Sequence, residues 1–532
     1  MRREFAAASD IYTKIIGINR KNRSIASFER FFYCSVPRRV CNPGCFRYNE
    51  NVPARGRAGM KGDGRRSMSV LNRYITTDKD FYKKVLRIAV PVSLQQMITV
   101  GVNLMDTVML SSMGDAQLSA SSLAGSFINL FQIFCMGIGM GASVLTARYW
   151  GMKEIHSLRK AVTIMLRFVA VFAGVFTLAT VFMPDVIMKM YTGNEENAAE
   201  IIDYGVTYLK WLIPTFLCMG LSLTCTIVLR SVGQVKIPLI SSIIAFFVNI
   251  FFNWVFIFGN LGAPRMEIAG AALGTLIARA FELVFICGYF FFKDQRIAYR
   301  LHHIVMHCRD LVKEYFRVCL PVLISDGLLA LGNNAVAMVM GRIGEAFVSA
   351  NAVTTIVQQL SSVLTQGISH ASCIITGHTM GEGNQEKARQ QGYTFLVLGF
   401  VLGLVAAGII LLVRAPIINY YKVSDEAKTI AWELMDAISF IMVFQSMNSI
   451  LTKGVLRAGG DTTFLMAGDI LFLWVASIPL GILAAFVFGW PSFWIYIMLK
   501  IDQIIKCVWC VWRLRSGKWM KKIRTAGEKD AE

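Results

Sequence analysis

The stretch Arg87-Ile-Ala-Val-Pro91 returns 230 positions later as Arg317-Val-Cys-Leu-Pro321. Held at that offset without a gap as far as Gly151 and Gly381, the two segments share 13 of 65 residues. Asn103/Asn333, Gly114/Gly344, Ala120/Ala350, Gly137/Gly367 and Thr146/Thr376 are among them. A later pair, Val228-Leu-Arg230-Ser-Val-Gly233 and Val455-Leu-Arg457-Ala-Gly-Gly460, extends the repeat. If each copy holds an even number of membrane-crossing helices, both copies have the same orientation. That predicts a pseudo-two-fold axis along the membrane normal, with a central cavity between two lobes.

Apolar runs dominate the sequence around this repeat. The 532 residues are 55% hydrophobic and 17% charged, with mean hydropathy +0.52. So few charges cannot cover the surface of a soluble chain of this length. A helix needs about 20 apolar residues to cross the hydrocarbon, and lipid forces such runs to satisfy their own backbone hydrogen bonds. Runs of that kind fall near 86–111, 121–147, 160–183, 204–229, 237–259 and 268–292, and again near 314–341, 351–377, 391–414, 431–456, 463–488 and 491–512. The expected fold class is therefore all-α and polytopic, with twelve transmembrane helices in two homologous six-helix lobes related by pseudo-two-fold symmetry. The lobes occupy 68–292 and 314–514, with a cytoplasmic linker at 293–313, a basic leader at 1–67 and a basic cytoplasmic tail at 515–532.

The net charge of +20 does not point to a nucleic-acid partner, because half of it sits in the leader and the rest in short loops. The flank 68–87, the even-numbered loops and the tail hold 28 Lys and Arg, with Arg148, Arg230, Lys453 and Arg457 counted among the loop charges. The odd-numbered loops hold 6. By the positive-inside rule both termini face the cytoplasm, and the chain is a multi-pass protein of the cell membrane. The Arg-rich leader lacks the apolar core of a signal peptide, and Met68 opens an amphipathic entry into the first helix. Met68 or Met60 is the expected start, with the leader an over-extended reading frame.

No catalytic constellation is present: there is no HExxH, no Gly-rich phosphate loop and no Ser/His/Asp cluster. The chain is expected not to be an enzyme and to use no cofactor. Of the twelve cysteines three lie in the leader, and Cys507-Val-Trp-Cys510 lies in an apolar helix end where packing explains it better than redox chemistry. His302, His303 and His307 lie on the basic linker without carboxylate or thiolate partners, which suits a solvated face rather than a metal site.

Several motifs, in order, then resemble one family. Leu104-Met-Asp106-Thr-Val-Met109 followed by Gly114 is similar to a helix 1 signature of the multidrug and toxic compound extrusion (MATE) transporters. Asn249-Ile-Phe-Phe-Asn253 with Ile257-Phe-Gly259 resembles their helix 5, and Gly270-Ala-Ala-Leu-Gly-Thr275 their helix 6. Leu456-Arg457-Ala-Gly-Gly460-Asp461 resembles their LRGxGD segment, and Ser516-Gly-Lys518-Trp519 a common ending. The resemblance covers roughly residues 75–525. It implies a two-lobe antiporter that exports small organic cations and other amphiphiles as a monomer in exchange for Na⁺ or H⁺. It also implies an ion site made of Asp106, Asn249, Asn253 and Thr275, in which Asn253 stands where relatives have a second acid. Some members carry a Glu in helix 7; here the acid is Asp326, about one turn earlier.

The charges themselves weigh in the same direction. An Asp inside a span costs roughly 2.5–3.5 kcal/mol on insertion scales, so Asp106 needs a compensating role. Na⁺ prefers hard oxygen ligands, which Asp106, Asn249, Asn253 and Thr275 supply. The i, i+4 spacing of Asn249 and Asn253 puts both amides on one side of helix 5. Arg279 and Glu282, at i, i+3, are expected to neutralise each other, and Lys500, Asp502 and Lys506 to snorkel to the interface. Asp326 and Asp469 fit either a cavity or an interface. The alternative function is a flippase of lipid-linked oligosaccharides on a related fold. That function calls for several cavity Arg or Lys, whereas only Arg167 and Arg279 are read as lying mid-helix.

Overall fold

The computed structural model describes residues 75–192, 198–420 and 424–525. The leader, with its three cysteines and the expected start at Met68, lies outside them. The first lobe consists of α1 (Lys79–Ser111), α2 (Asp115–Met152), α3 (Ile155–Phe182), α4 (Ala198–Trp211, resuming as Ile213–Ser231), α5 (Lys236–Phe258) and α6 (Glu267–Lys293). The second consists of α7 (Arg309–Ile343), α8 (Glu345–Gly381), α9 (Gln385–Tyr420), α10 (Asp425–Leu456), α11 (Thr462–Val487) and α12 (Ser492–Leu499, resuming as Ile501–Ser516). Ten of these are long and apolar enough to cross a membrane by length and composition alone. The other two are α8, whose 37 residues include many Ser, Thr and Gln, and α12, which breaks at Lys500.

The helices are longer than the minimum span, and this moves several boundaries. The α1 helix starts at Lys79, where the Asp78 side chain accepts from the Asp80 N–H at 2.9 Å. The α7 helix starts at Arg309, so the connection between lobes is shorter than 293–313. Extra length also places Arg230 and Arg457 on helices rather than in loops, and Lys453, although counted with the loop charges, lies within the 431–456 span itself: Arg457 is buried and the other two are half-buried. Arg148 is buried as well.

The repeat in sequence is a repeat in space. Gly114 and Gly344 open α2 and α8 with φ of 126° and 153°, backbone conformations that favour glycine. Gly137 of α2 lies against Leu323 of α7, and its equivalent Gly367 of α8 lies against Ser93 of α1, the equivalent of Leu323. Where α2 and α8 cross, equivalent residues meet one another. A Cβ on Gly151 would lie 3.0 Å from Gly381 Cα, and one on Gly377 would lie 2.9 Å from Ala147 Cβ. A residue can touch its own equivalent only near the two-fold axis, so the axis runs through this crossing. Small residues bring the backbones close here, since lipid offers no hydrophobic drive to join helices.

Burial is lopsided along these helices. Every residue from Gly137 to Tyr149 and from Ala371 to Met380 is buried, whereas Met97, Leu104 and Val108 of α1 are exposed. The lobes are pressed together on the face where α1 begins and α12 ends, and α1 loses its cover toward the other.

That closed face carries a strap. After α12 the chain turns at Gly517 (φ 68°) and buries Trp519 completely, its ring against Gly459. The N–H of Lys521 donates to the Gly459 carbonyl at 2.9 Å, and its own carbonyl accepts from Arg148 Nη1 at 2.6 Å. Tyr149 Oη donates to the Arg524 carbonyl at 2.6 Å. Arg148 and Tyr149 belong to the first lobe and Gly459 to the second, so the tail ties both.

Candidate functional site

Three helices assemble the first cluster. Asp106 is half-buried on α1, and Asn249 and Asn253 are buried one turn apart on α5. Asn253 Nδ2 donates to Asp106 Oδ1 at 2.6 Å and to Asn249 Oδ1 at 3.4 Å, and Asn249 Nδ2 reaches Thr275 Oγ1 of α6 at 3.5 Å. The helices come this close because Gly270 and Gly274 face α5; a Cβ on Gly274 would lie 2.1 Å from Asn253 Oδ1. That oxygen is buried and has no hydrogen-bond partner. An orphaned buried acceptor beside a carboxylate and two further oxygens suits a small hard cation. Arg279 lies within coulombic range of Asp106, but Glu282 holds it at 2.8 Å, as the i, i+3 spacing predicts.

The fifth candidate is elsewhere. Asp326 of α7 accepts from Arg457 Nη2 of α10 at 3.2 Å and takes no part in the Asp106 cluster. The sequence-expected set thus divides into four residues in the first lobe and one in the second.

A family model described as MatE matches residues 91–255 and 321–483, one stretch in each lobe. The chain belongs to the MatE family. Among its relatives is a probable multidrug resistance protein NorM of Thermotoga maritima, 24% identical over 459 residues, which span 85% of this chain and 97% of the relative. Another is multidrug resistance protein NorM of Aliivibrio fischeri, 23% identical, covering 75% and 85%. A crystal structure of MATE in the straight conformation and an outward-facing multidrug resistance MATE transporter each superpose with a TM-score of 0.74 at 18% identity. Both alignments cover 82% of this chain and 96% of that one. The chain is a membrane efflux transporter with the expected twelve-helix, two-lobe fold, and the flippase alternative is not favoured.

In this MatE-family transporter, several polar residues sit differently from their sequence-based reading. Lys506 and Asp502 do not snorkel; both are buried. Lys506 Nζ lies 3.0 Å from Asp469 and 3.2 Å from Asp502, Ser325 donates to Asp469, and Gln503 donates to Asp502 at 2.6 Å. The break at Lys500 turns this half of α12 inward, and Lys500 itself reaches Asn333 at 3.3 Å. Asp469 is therefore an internal ion-pair partner. Arg167 donates to the Ile304 and Met306 carbonyls and serves the linker rather than a cavity. Among the described residues no group of His, Cys, Asp and Glu could hold a metal. His303 Nδ1 accepts from the Arg300 N–H at 3.0 Å, and burial lowers its pKa with help from His302, Arg159 and Arg300. Cys507 and Cys510 are buried free thiols, as packing residues should be.

Sequence reading did not single out Gln95, Arg230, His370 or Lys453. Gln95 and His370 carry no sequence signal of their own. Arg230 and Arg457 do share one: they end the repeated Val-Leu-Arg segments.

Proposed function

We propose that this transporter is a cation-coupled antiporter that exports small organic cations and other amphiphiles, with Na⁺ or H⁺ exchanging at Asp106. The observation that carries the reading is the cluster of one carboxylate, two amides and a hydroxyl, with the Asn253 oxygen left unpartnered. Asp106, Asn249, Asn253 and Thr275 would hold Na⁺ through oxygen atoms, and Asp106 alone would hold H⁺. One formal charge is neutralised by one monovalent ion at a time. An entering ion and a leaving drug cation are thereby made to compete for that carboxylate, or to bias opposite lobe arrangements, which is what coupling requires. The positive-inside count supports placing the closed, strapped face in the cytoplasm and the opposite face outside, in the plasma membrane. Nothing in this scheme requires more than one copy of the chain or any cofactor.

The test is Asp106→Asn in purified protein reconstituted in liposomes, with a cationic dye and separately imposed Na⁺ and H⁺ gradients. Asn keeps the volume and one acceptor oxygen but not the charge. Gradient-driven efflux should be lost while insertion and folding persist. Efflux at the wild-type rate with unaltered ion dependence would remove Asp106 from the mechanism.

A further inference from the structure

The outer sides of α3 and α7 change character at one level. Along one side of α3 the exposed Arg167 is followed by exposed Val171, Val175, Leu178 and Phe182. Along one side of α7 the exposed Arg309 and Lys313 are followed by exposed Phe316, Leu320 and Ile324. The rings of Phe168 and Phe316 meet edge to face with centroids 4.9 Å apart, so the two stripes lie side by side and switch from basic to apolar at the same height. Such a switch marks the boundary between lipid head groups and acyl chains. It falls toward the strapped end, where α2 gives way to α3 and Tyr149 meets Arg524.

At that height a recess of about 340 Å³ lies between α3, the linker and the start of α7, lined by Arg167, Phe168, Val305, His307, Arg309 and Val312. Its size is that of a small-ligand site. Arg167 donates from Nε and Nη2 to the Ile304 carbonyl at 3.1 and 2.7 Å and from Nη2 to the Met306 carbonyl at 2.9 Å, which fixes its guanidinium at the wall. Its Nη1 makes no hydrogen bond among the described residues. Arg309 and Lys313 make no ion pair within 4.0 Å among the described residues. The acids on this part of α7 are engaged elsewhere, Asp310 by Lys160 at 2.7 Å and Glu314 by Arg317 at 3.6 Å. The linker adds an apolar edge, because its turn Leu301–Val305 leaves Leu301, Ile304 and Val305 exposed, Val305 to 84%. Exposed aliphatic side chains beside unpaired Arg and Lys are what a segment lying in the bilayer interface presents.

We infer that this recess binds an anionic phospholipid from the leaflet on the strapped side. Arg167 and Arg309 take its phosphate, Lys313 adds charge one turn along α7, and the acyl chains follow the apolar stripes of α3 and α7. Guanidinium groups offer paired donors to phosphate oxygens, and each further cation near the head group adds to the attraction. The walls come from α3 of the first lobe and from the linker and α7, so the lipid spans the join that Lys160 of α3 and Asp310 of α7 already bridge. The site is separate from Asp106 and independent of the antiporter reading.

The experiment is native mass spectrometry of the purified full chain in nonionic detergent, titrated with phosphatidylglycerol, with phosphatidylcholine of the same acyl chains, and with glycerol phosphate. The first phosphatidylglycerol should bind about tenfold or more tighter than the first phosphatidylcholine, since several basic groups face one anionic head group. Arg309→Gln and Lys313→Gln should each weaken phosphatidylglycerol about fivefold, the worth of one Arg or Lys beside anionic lipid, and leave phosphatidylcholine unchanged. Arg309→Lys should restore most of the loss. Lys83→Gln removes an exposed cation of α1 at the same end and should change nothing, which separates a built site from diffuse attraction. Asp106→Asn should leave lipid binding intact, so this proposal and the antiporter reading fail separately. Equal affinity for the two lipids, or a loss in Lys83→Gln as large as in Arg309→Gln, would overturn the proposal. So would glycerol phosphate binding as tightly as the lipid, which would make the recess a site for a free phosphate ester.

Discussion

Replacing Gly381 by Ala should shift the transporter away from the arrangement in which α2 and α8 cross tightly. The new Cβ would lie 2.2 Å from the Arg148 carbonyl oxygen, 2.8 Å from Gly151 Cα and 2.9 Å from Met152 N. All three are backbone atoms, so no side chain can swing aside. The helices would have to part by about 1 Å to regain van der Waals distance. Overpacking of this kind costs roughly 1–3 kcal/mol, which corresponds to a roughly 5- to 150-fold change in the ratio of two states. The penalty falls on the state with this crossing closed and not on one with the inner ends apart. Spin labels at Glu154→Cys and Glu386→Cys, both exposed and just beyond the crossing, would read the change as a longer distance population. Gly151→Ala, whose Cβ would meet the His378 carbonyl at 2.3 Å, should act the same way. Gly408→Ala, with nothing within 4 Å, should be silent. Distance distributions identical in Gly381→Ala and the wild type would refute the argument that this contact sets the closed state.

Other outcomes follow from the Asp106 cluster and from charge placement. Gly274→Ala should displace the Asn253 side chain, whose Oδ1 would be 2.1 Å from the new Cβ, and weaken ion-dependent efflux several-fold without loss of folded protein in a thermal-unfolding assay. Asn253→Asp puts a second carboxylate beside Asp106, where Asn253 now donates at 2.6 Å. Two carboxylates so close share a cation or a proton, so the dependence of dye efflux on Na⁺ and on pH should both change. Cysteine at position 300 should label only from the cytoplasm and cysteine at 425 only from outside, the pattern that the 28-to-6 distribution of Lys and Arg requires.

The fold was legible because a membrane protein writes its architecture in long apolar runs, and a duplicated one writes it twice. The contact of Gly151 with Gly381 is the repeat itself seen in space. The Asp106 cluster was legible through three short motifs on α1, α5 and α6. The Lys506 network was not, because a Lys near the end of an apolar run reads as snorkelling. Only the break at Lys500 and the facing Asp469 turn it inward. Lys453 and Arg457 were counted as loop charges since a span of minimal length ends near them; α10 runs to Leu456 and continues past it. Asp326 was grouped with Asp106 through the resemblance alone, and its partner, Arg457, is 131 residues away in sequence.

The strap has a consequence for how the protein is made. Residues 517–525 follow all twelve helices in the chain, so they leave the ribosome after both lobes have been threaded into the membrane. Until Trp519 seats against Gly459 and Lys521 meets Arg148, the lobes lack that tie across their shared face. A chain truncated before Gly517 would therefore insert completely and still be unfinished, its halves joined by the α2–α8 crossing and the 2.8 Å bond from Arg148 Nε to the Ala458 carbonyl but without the tail's tie.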